Sequence, residues 1–173
     1  MAEIKGGNLF QQNMAALSKK VKSASSARIG FIDGATYPDG TSVAEVAAIN
    51  NFGAPGAGIP ARPFFSDLVK QNSAEWAGKL VKLFQKTGDI KTSLDLLAVE
   101  IEGELRESII KMNFPANSPV TNLLKQRFPT RDGMTFEDVL QAWSDVKDGV
   151  TAPAGKPLVW SGLMLASISS EVT

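Results

Sequence analysis

The stretch TSLDLLAVEIEGELRESIIKM, residues 92–112, carries the most regular pattern in the chain. Leu94, Leu97, Ile101, Leu105, Ile109 and Met112 step by three or four residues, the spacing that lines one face of an α-helix. Glu100, Glu104, Glu107 and Lys111 form a polar stripe beside them, and Glu107 and Lys111 are spaced to attract each other. The pattern predicts an amphipathic helix of about five turns. Pro115 and Pro119 end it and define a loop, because a proline ring cannot continue the backbone ladder.

Such an apolar face needs partners, and the segments on either side supply them. Upstream, Pro63 suits a first helical position, where its missing N–H goes unmissed. Phe64, Phe65, Leu68, Val69, Trp76, Leu80, Val81 and Phe84 then extend an apolar face toward Gly88. Asn72 or Ser73 either interrupts this helix or is carried at modest cost, so the region reads as one helix or two. Ser42-Val43-Ala44-Glu45 has the form of a capping box, with Glu45 reaching back to Ser42. It opens a short helix with Val43, Val46, Ala47 and Asn50 on one face and Ile49 and Phe52 beside it. Gly53 to Pro60 is too rich in Gly and Pro for a regular element. Ala27-Arg28-Ile29-Gly30-Phe31-Ile32 reads as a strand, with Gly30 marking a bulge or a close approach. Asp33-Gly34 and Pro38-Asp39-Gly40 are turn signals around Tyr37, the sole tyrosine. Leu9, Phe10, Met14, Leu17 and Val21 predict a first helix, with Lys19, Lys20 and Lys22 at its favourable end.

Downstream, Asn122 to Gln126 reads as one turn. Thr135 caps a helix from Phe136 to about Val146, with Val139, Leu140 and Trp143 expected to face inward. Gly149, Pro153, Gly155 and Pro157 make a linker, Leu158-Val159-Trp160 is apolar, and Ile168 to Val172 alternates like a terminal strand. The expected fold is therefore a single α+β domain over residues 1–173. A small antiparallel or mixed sheet, containing 27–32 and 168–172, packs against two or more amphipathic helices, chiefly 64–84 and 94–112. An additional helix is inserted before the C-terminal strand.

Composition narrows the chemistry. The chain has 173 residues and contains neither histidine nor cysteine. That removes histidine relays, thiol nucleophiles, thiolate metal sites and disulfides, while carboxylate or lysine chemistry survives. Eighteen basic side chains balance eighteen acidic ones, so no excess of positive charge points to a nucleic-acid backbone. No apolar run is long enough to span a bilayer, and the first residues lack the layout of a secretion signal. The expectation is a protein made and assembled in the cytoplasm, without a membrane partner.

Glu100, Glu104 and Glu107 share a helix face, with Glu102 between them, and read as a solvated stripe rather than paired catalytic carboxylates, which face each other across a cleft. Gly53 to Gly58 lacks both the Gly-Lys-Ser/Thr ending and the glycine spacing of nucleotide loops, so a mobile loop or an intersubunit contact is the better reading. Lys79, Lys82 and Lys86 share a face that is solvated or touches DNA in passing. Trp76, between Val69 and Leu80, is expected in the core, whereas Trp160, flanked by Pro and Gly, is better placed for an interface.

Two stretches carry a resemblance. Ser42 to Pro55, reading SVAEVAAINNFGAP, is followed by Ile59-Pro60-Ala61-Arg62-Pro63-Phe64-Phe65. Together they resemble a signature of phage virion-morphogenesis proteins, an Ala- and Val-rich run into N-x-F-G and then I-P-x-R-P-F. Lys156 to Ile168, reading KPLVWSGLMLASI, is similar to that family's closing P-L-x-x-T/S-G-x-L-x-x-S-I element. Asn117-Ser118-Pro119-Val120-Thr121 matches a further N-S-P-x-T segment, but a capped helix then intervenes, so residues 124–152 read as a family-variable insertion.

The resemblance implies a small α+β structural protein of the virion that completes the tail end or neck and joins tail to head through a homomeric ring. Its implied partners are further copies of itself and other neck, connector or tail proteins, with DNA in the channel as a passive contact. A minor tail or tail-tip protein is the alternative, and a small carboxylate- or lysine-dependent cytoplasmic enzyme is the alternative of another class. No catalytic, cofactor-binding or metal-binding residue and no cofactor are expected. The candidate interface is Gly53, Pro55, Gly56, Gly58, Ile59, Pro60, Arg62 and Trp160. In it a close-approaching backbone with free donors and acceptors is joined by a guanidinium that fits a neighbour's carboxylate or its own domain's carbonyls.

Overall fold

A computed structural model describes residues 26–173, so the helix expected over Leu9 to Val21 lies outside the described residues. The decisive helix is present as α3 (Ile90–Lys111), and the region before it is one continuous helix, α2 (Phe64–Thr87). Between them, Gly88 takes a left-handed φ of 67° and Asp89 caps α3 by accepting the Thr92 N–H. The two helices form an antiparallel hairpin. Thr87 meets Ser93 at one end, and Ser108 Oγ donates to the Phe64 carbonyl at the other.

Polar contacts between these helices decide one open reading and correct two expectations. Asn72 does not interrupt α2, because its side-chain amide donates to Glu104 Oε2 at 3.0 Å. Trp76 is half-buried and donates its indole N–H to the same oxygen at 2.7 Å, so it lies at the seam between the helices and not in the core. Nor are the acidic residues of α3 a simple solvated stripe. Lys79 reaches Glu75, Glu100 and Glu104 at 2.9, 2.6 and 3.2 Å, and their hydrogen bonds raise its pKa. Lys79 is thereby withdrawn from the basic face, leaving Lys82 and Lys86 exposed. Glu107 does pair with Lys111, at 2.7 Å.

Burial by itself would raise the Glu104 carboxyl, but hydrogen bonds from Asn72, Trp76 and Lys79 outweigh it and hold the group below its ordinary 4.5. Because the folded value is the lower one, this stabilisation is complete above 4.5 and is lost as pH falls through the folded value. Glu104→Gln should therefore melt below the wild type at neutral pH and converge with it in acid, as thermal melts across the acidic range will read.

The sheet has two antiparallel strands, β1 (Ala27–Gly30) and β2 (Ser169–Val172), in the register Ala27 to Val172 through Gly30 to Ser169. The first strand is shorter than the expected 27–32. It stops at Gly30, whose φ of 152° is open to glycine and which lies against the Phe65 ring. Both strands lie on α3. A helix α1 (Val43–Phe52) follows the turn region, capped by Ser42. Only half of the expected box forms, with Ser42 Oγ accepting the Glu45 N–H and no return bond from Glu45 among the described contacts. Phe52 points outward. The first core joins Tyr37, Val43 and Ala47 to Phe64, Leu105 and Ile109, and is closed by Leu158, Met164 and Ile168 around a short helix α6 (Leu163–Ala166). Arg106 secures that closure, donating to the Ile168 carbonyl at 2.7 Å.

A second core was not anticipated. Pro119 does not extend a loop but opens a helix, and with Ser118 as cap the single turn expected at 122–126 becomes the middle of α4 (Pro119–Arg127). This helix packs on α5 (Phe136–Lys147), whose Thr135–Asp138 capping box is complete. Val120, Leu123, Leu124 and Ala142 are buried between them, with Val139, Val146 and Trp160 packed alongside. The 124–152 segment thus shares its core with residues before and after it. The inward face of α5 is Val139, Ala142 and Val146, a stripe that admits α4 closely because Ala142 is small. Leu140 and Trp143, expected inside, lie on the next face round the helix and are 53% and 55% exposed. Among the described residues no helix is long and apolar enough to cross a membrane.

Candidate functional site

The loop after α1 begins at a position only glycine can hold. Gly53 has φ 77°, and a Cβ there would sit 2.8 Å from the Ala61 nitrogen. The chain then turns through a single 3-10 turn (Pro55–Ala57), and Ala54 and Ile59 exchange both backbone hydrogen bonds, at 2.9 and 3.1 Å. The N–H groups of Gly53, Ala57 and Gly58 are also donated to nearby carbonyls. The backbone donors expected to be available to a neighbour are therefore largely consumed within the loop. Pro55, Gly56, Gly58 and Pro60 keep exposed surfaces.

Arg62 is 6% exposed and faces its own domain. Its Nε donates to the Pro115 carbonyl at 2.8 Å, and its two terminal nitrogens reach the Ala116 carbonyl and Asn50 Oδ1, each at 3.2 Å. Its backbone N–H is accepted by the Asn50 carbonyl at 2.7 Å. The planar fork thus ties the end of α1 to the segment after α3, and burial pushes its pKa down. Beside it, Asn51 does what Pro63 cannot. Its Oδ1 accepts the Phe65 and Ser66 N–H groups at 3.0 and 3.1 Å, so a side chain from α1 caps α2.

Arg62 forms one wall of a cleft of about 580 Å³ that also includes Gly58, Ile59, Pro60 and Trp160. Gly53, Pro55 and Gly56 do not line it. Residues of α4 and the loop after it, Thr121, Lys125 and Arg131, also line it. Lys125 Nζ donates to the Lys156 and Val159 carbonyls, and burial, followed by the nearby Arg62 charge, pushes its pKa down to about 8. Trp160, expected at an interface, is an internal anchor whose indole N–H donates to the Phe128 carbonyl at 2.7 Å. Arg131 has φ 68°, a left-handed conformation uncommon outside glycine. Its guanidinium lies 5.0 Å from the Tyr37 ring centre and 5.0 Å from that of Trp160, stacking between an aromatic of each core. Asp39 approaches it at 3.8 Å.

Tyr37, Asn51, Lys125 and Arg131 were not identifiable as site residues from the sequence. Tyr37 sits among turn signals, and Lys125 and Arg131 fall in the segment whose helix boundaries the periodicity misplaces. The chain matches none of the known protein-family models, and searches of curated proteins and of solved structures return no match.

Proposed function

We propose that this chain is a structural protein of a tailed-phage virion, completing the tail end or neck and joining tail to head as a homomeric ring. The observation that carries the reading is the uncovered apolar face of α5, where Phe136, Leu140 and Trp143 are 74%, 53% and 55% exposed. A contiguous face of this kind on a small chain marks a protein–protein contact. Further support comes from the two stretches that carry the family resemblance. Asn50, Ile59, Pro60 and Arg62 from the first and Pro157, Trp160 and Leu163 from the second line one cleft. Contact between copies is accordingly assigned to α5 and to the exposed tip of the 53–60 loop, while Arg62 and Trp160 hold the domain together.

Leu140→Asp combined with Trp143→Ser tests this reading. Both side chains are already solvent-exposed, so the melting temperature should hold while sedimentation shifts from ring to monomer and head–tail joining fails. A variant that assembles normally would overturn the reading. The tail-tip alternative differs in location, which antibody labelling of particles resolves.

A second reading, lysine-dependent catalysis, is favoured by one feature, the depressed Lys125 ammonium inside a cleft. Unchanged modification by an aldehyde and borohydride after Lys125→Met counts against it.

A further inference from the structure

We propose that the cleft between the two cores binds the phosphate group of a small phosphorylated molecule. Arg62, Lys125 and Arg131 reach it from three different parts of the fold, and among the described residues that line it there is no carboxylate. Asp39 lies outside the lining, where it approaches Arg131 at 3.8 Å and accepts the Thr41 N–H at 2.9 Å. Several cations elsewhere are matched: Lys79 has three carboxylates, Arg106 has Glu102, and Arg127 has Asp145. Arg62 and Lys125 are instead held by carbonyl and amide oxygens, which satisfy hydrogen bonds without cancelling charge. Arg62 and Lys125 meet no carboxylate among the described residues and Arg131 meets only Asp39, so the three cations repel one another, and a dianion placed between them relieves that repulsion.

Other features of the cleft fit the same ligand. Ser118 and Thr121, from the first turn of α4, line it, so the positive end of that nine-residue helix faces the same space. The volume of about 580 Å³ exceeds what a bare oxyanion fills and falls within the range of small-molecule sites. Tyr37 and Trp160 contribute apolar surface for the organic part of the molecule.

The affinity should depend on pH through Lys125. The charged or titratable groups around it are Arg62 from before α2, Arg131 from the loop after α4 and Tyr37 from the turn after β1. Lys156 directs its ammonium away, to the Ile110 carbonyl. Burial raises the Tyr37 hydroxyl above its ordinary 10.0, so Lys125, at about 8, is the group that changes charge near neutrality.

Isothermal titration of the full chain with AMP and with sulfate, in chloride of matched ionic strength, tests the proposal. Sulfate keeps its charge across the range, so any pH dependence belongs to the protein. We expect saturable 1:1 binding, tighter for AMP. The sulfate affinity should fall by about fivefold as pH rises from one unit below to one unit above the Lys125 value, for a coupling of about one pKa unit. Lys125→Met should remove that pH dependence, and Arg131→Gln should weaken binding while leaving the carbonyl bonds of Lys125 intact. If Lys125→Met does not fold, Arg131→Gln and the wild-type pH profile still decide the matter. Absence of saturable heat, or affinities unmoved by pH and by Arg131→Gln, would overturn the proposal. So would sulfate that dissociates an assembly, because the natural oxyanion would then be a neighbouring copy's carboxylate.

Discussion

Phe64→Ala should lower stability by about 3–5 kcal/mol, the usual cost of removing a fully enclosed phenyl ring. Phe64 is 1% exposed and belongs to the first core with Leu105, Ile109 and Val43. Its backbone is fixed on both sides, by Ser108 Oγ on its carbonyl and by the Arg62 carbonyl on its N–H, so the surroundings cannot readily collapse into the void. For a chain of this length each kcal/mol moves the melting temperature by about 2–4 °C, so a loss of about 6–20 °C is expected. Denaturant titration should show a lower midpoint with an unchanged slope. Ile101→Ala provides the internal scale. At 9% exposure, and outside the cluster around Leu105, it should fall near the lower end of about 2–5 kcal/mol. Equal effects at the two positions would mean that the packing order of the core is different.

Arg62→Ala is expected to cost about 2–4 kcal/mol, because hydrogen bonds to a charged donor are among the stronger ones and stranded carbonyls carry their own desolvation penalty. The side chain closes a junction among α1, the loop before α2 and the Pro115–Ala116 segment, and its removal leaves two carbonyls and Asn50 Oδ1 without that donor. Arg62→Lys should restore only part of the loss, since an ammonium is a point charge and cannot reproduce a planar fork spread over three acceptors. The same experiment separates the two roles this arginine was first given. A large drop in melting temperature identifies it as a fastening within the domain. Preserved melting with failed assembly would return it to an interface.

Local periodicity was enough for most of the helical framework, with α4 the exception. The spacing of Leu97, Ile101, Leu105 and Ile109 defines α3 and its buried face, and Gly88 with Asp89 marks the turn before it, because these signals lie within one or two helical turns. The pairing of the first and last strands was also legible, though not its antiparallel sense, since a lone short strand with one buried face needs a partner and the terminal segment was the one that alternated. Where apolar spacing fits two adjacent helix faces, as on α5, the sequence cannot say which is covered. Small Ala142 let α4 approach on one side and left Leu140 and Trp143 outside on the other.

The candidate site shows the same division. Gly53, Pro55 and Pro60 announced the turn that follows α1. Which way Arg62 would face depended on Pro115 and Ala116, about fifty residues further along the chain, whose carbonyls no local pattern places. Trp160 likewise turned inward because Phe128 offered a carbonyl and Arg131 a cation. The sequence by itself determined most of the helices, the strand pair and the lack of histidine and cysteine side chains. Only the tertiary structure decided that three cations would share one cleft, because their convergence is set by how two separate cores dock through Tyr37, Arg131 and Trp160.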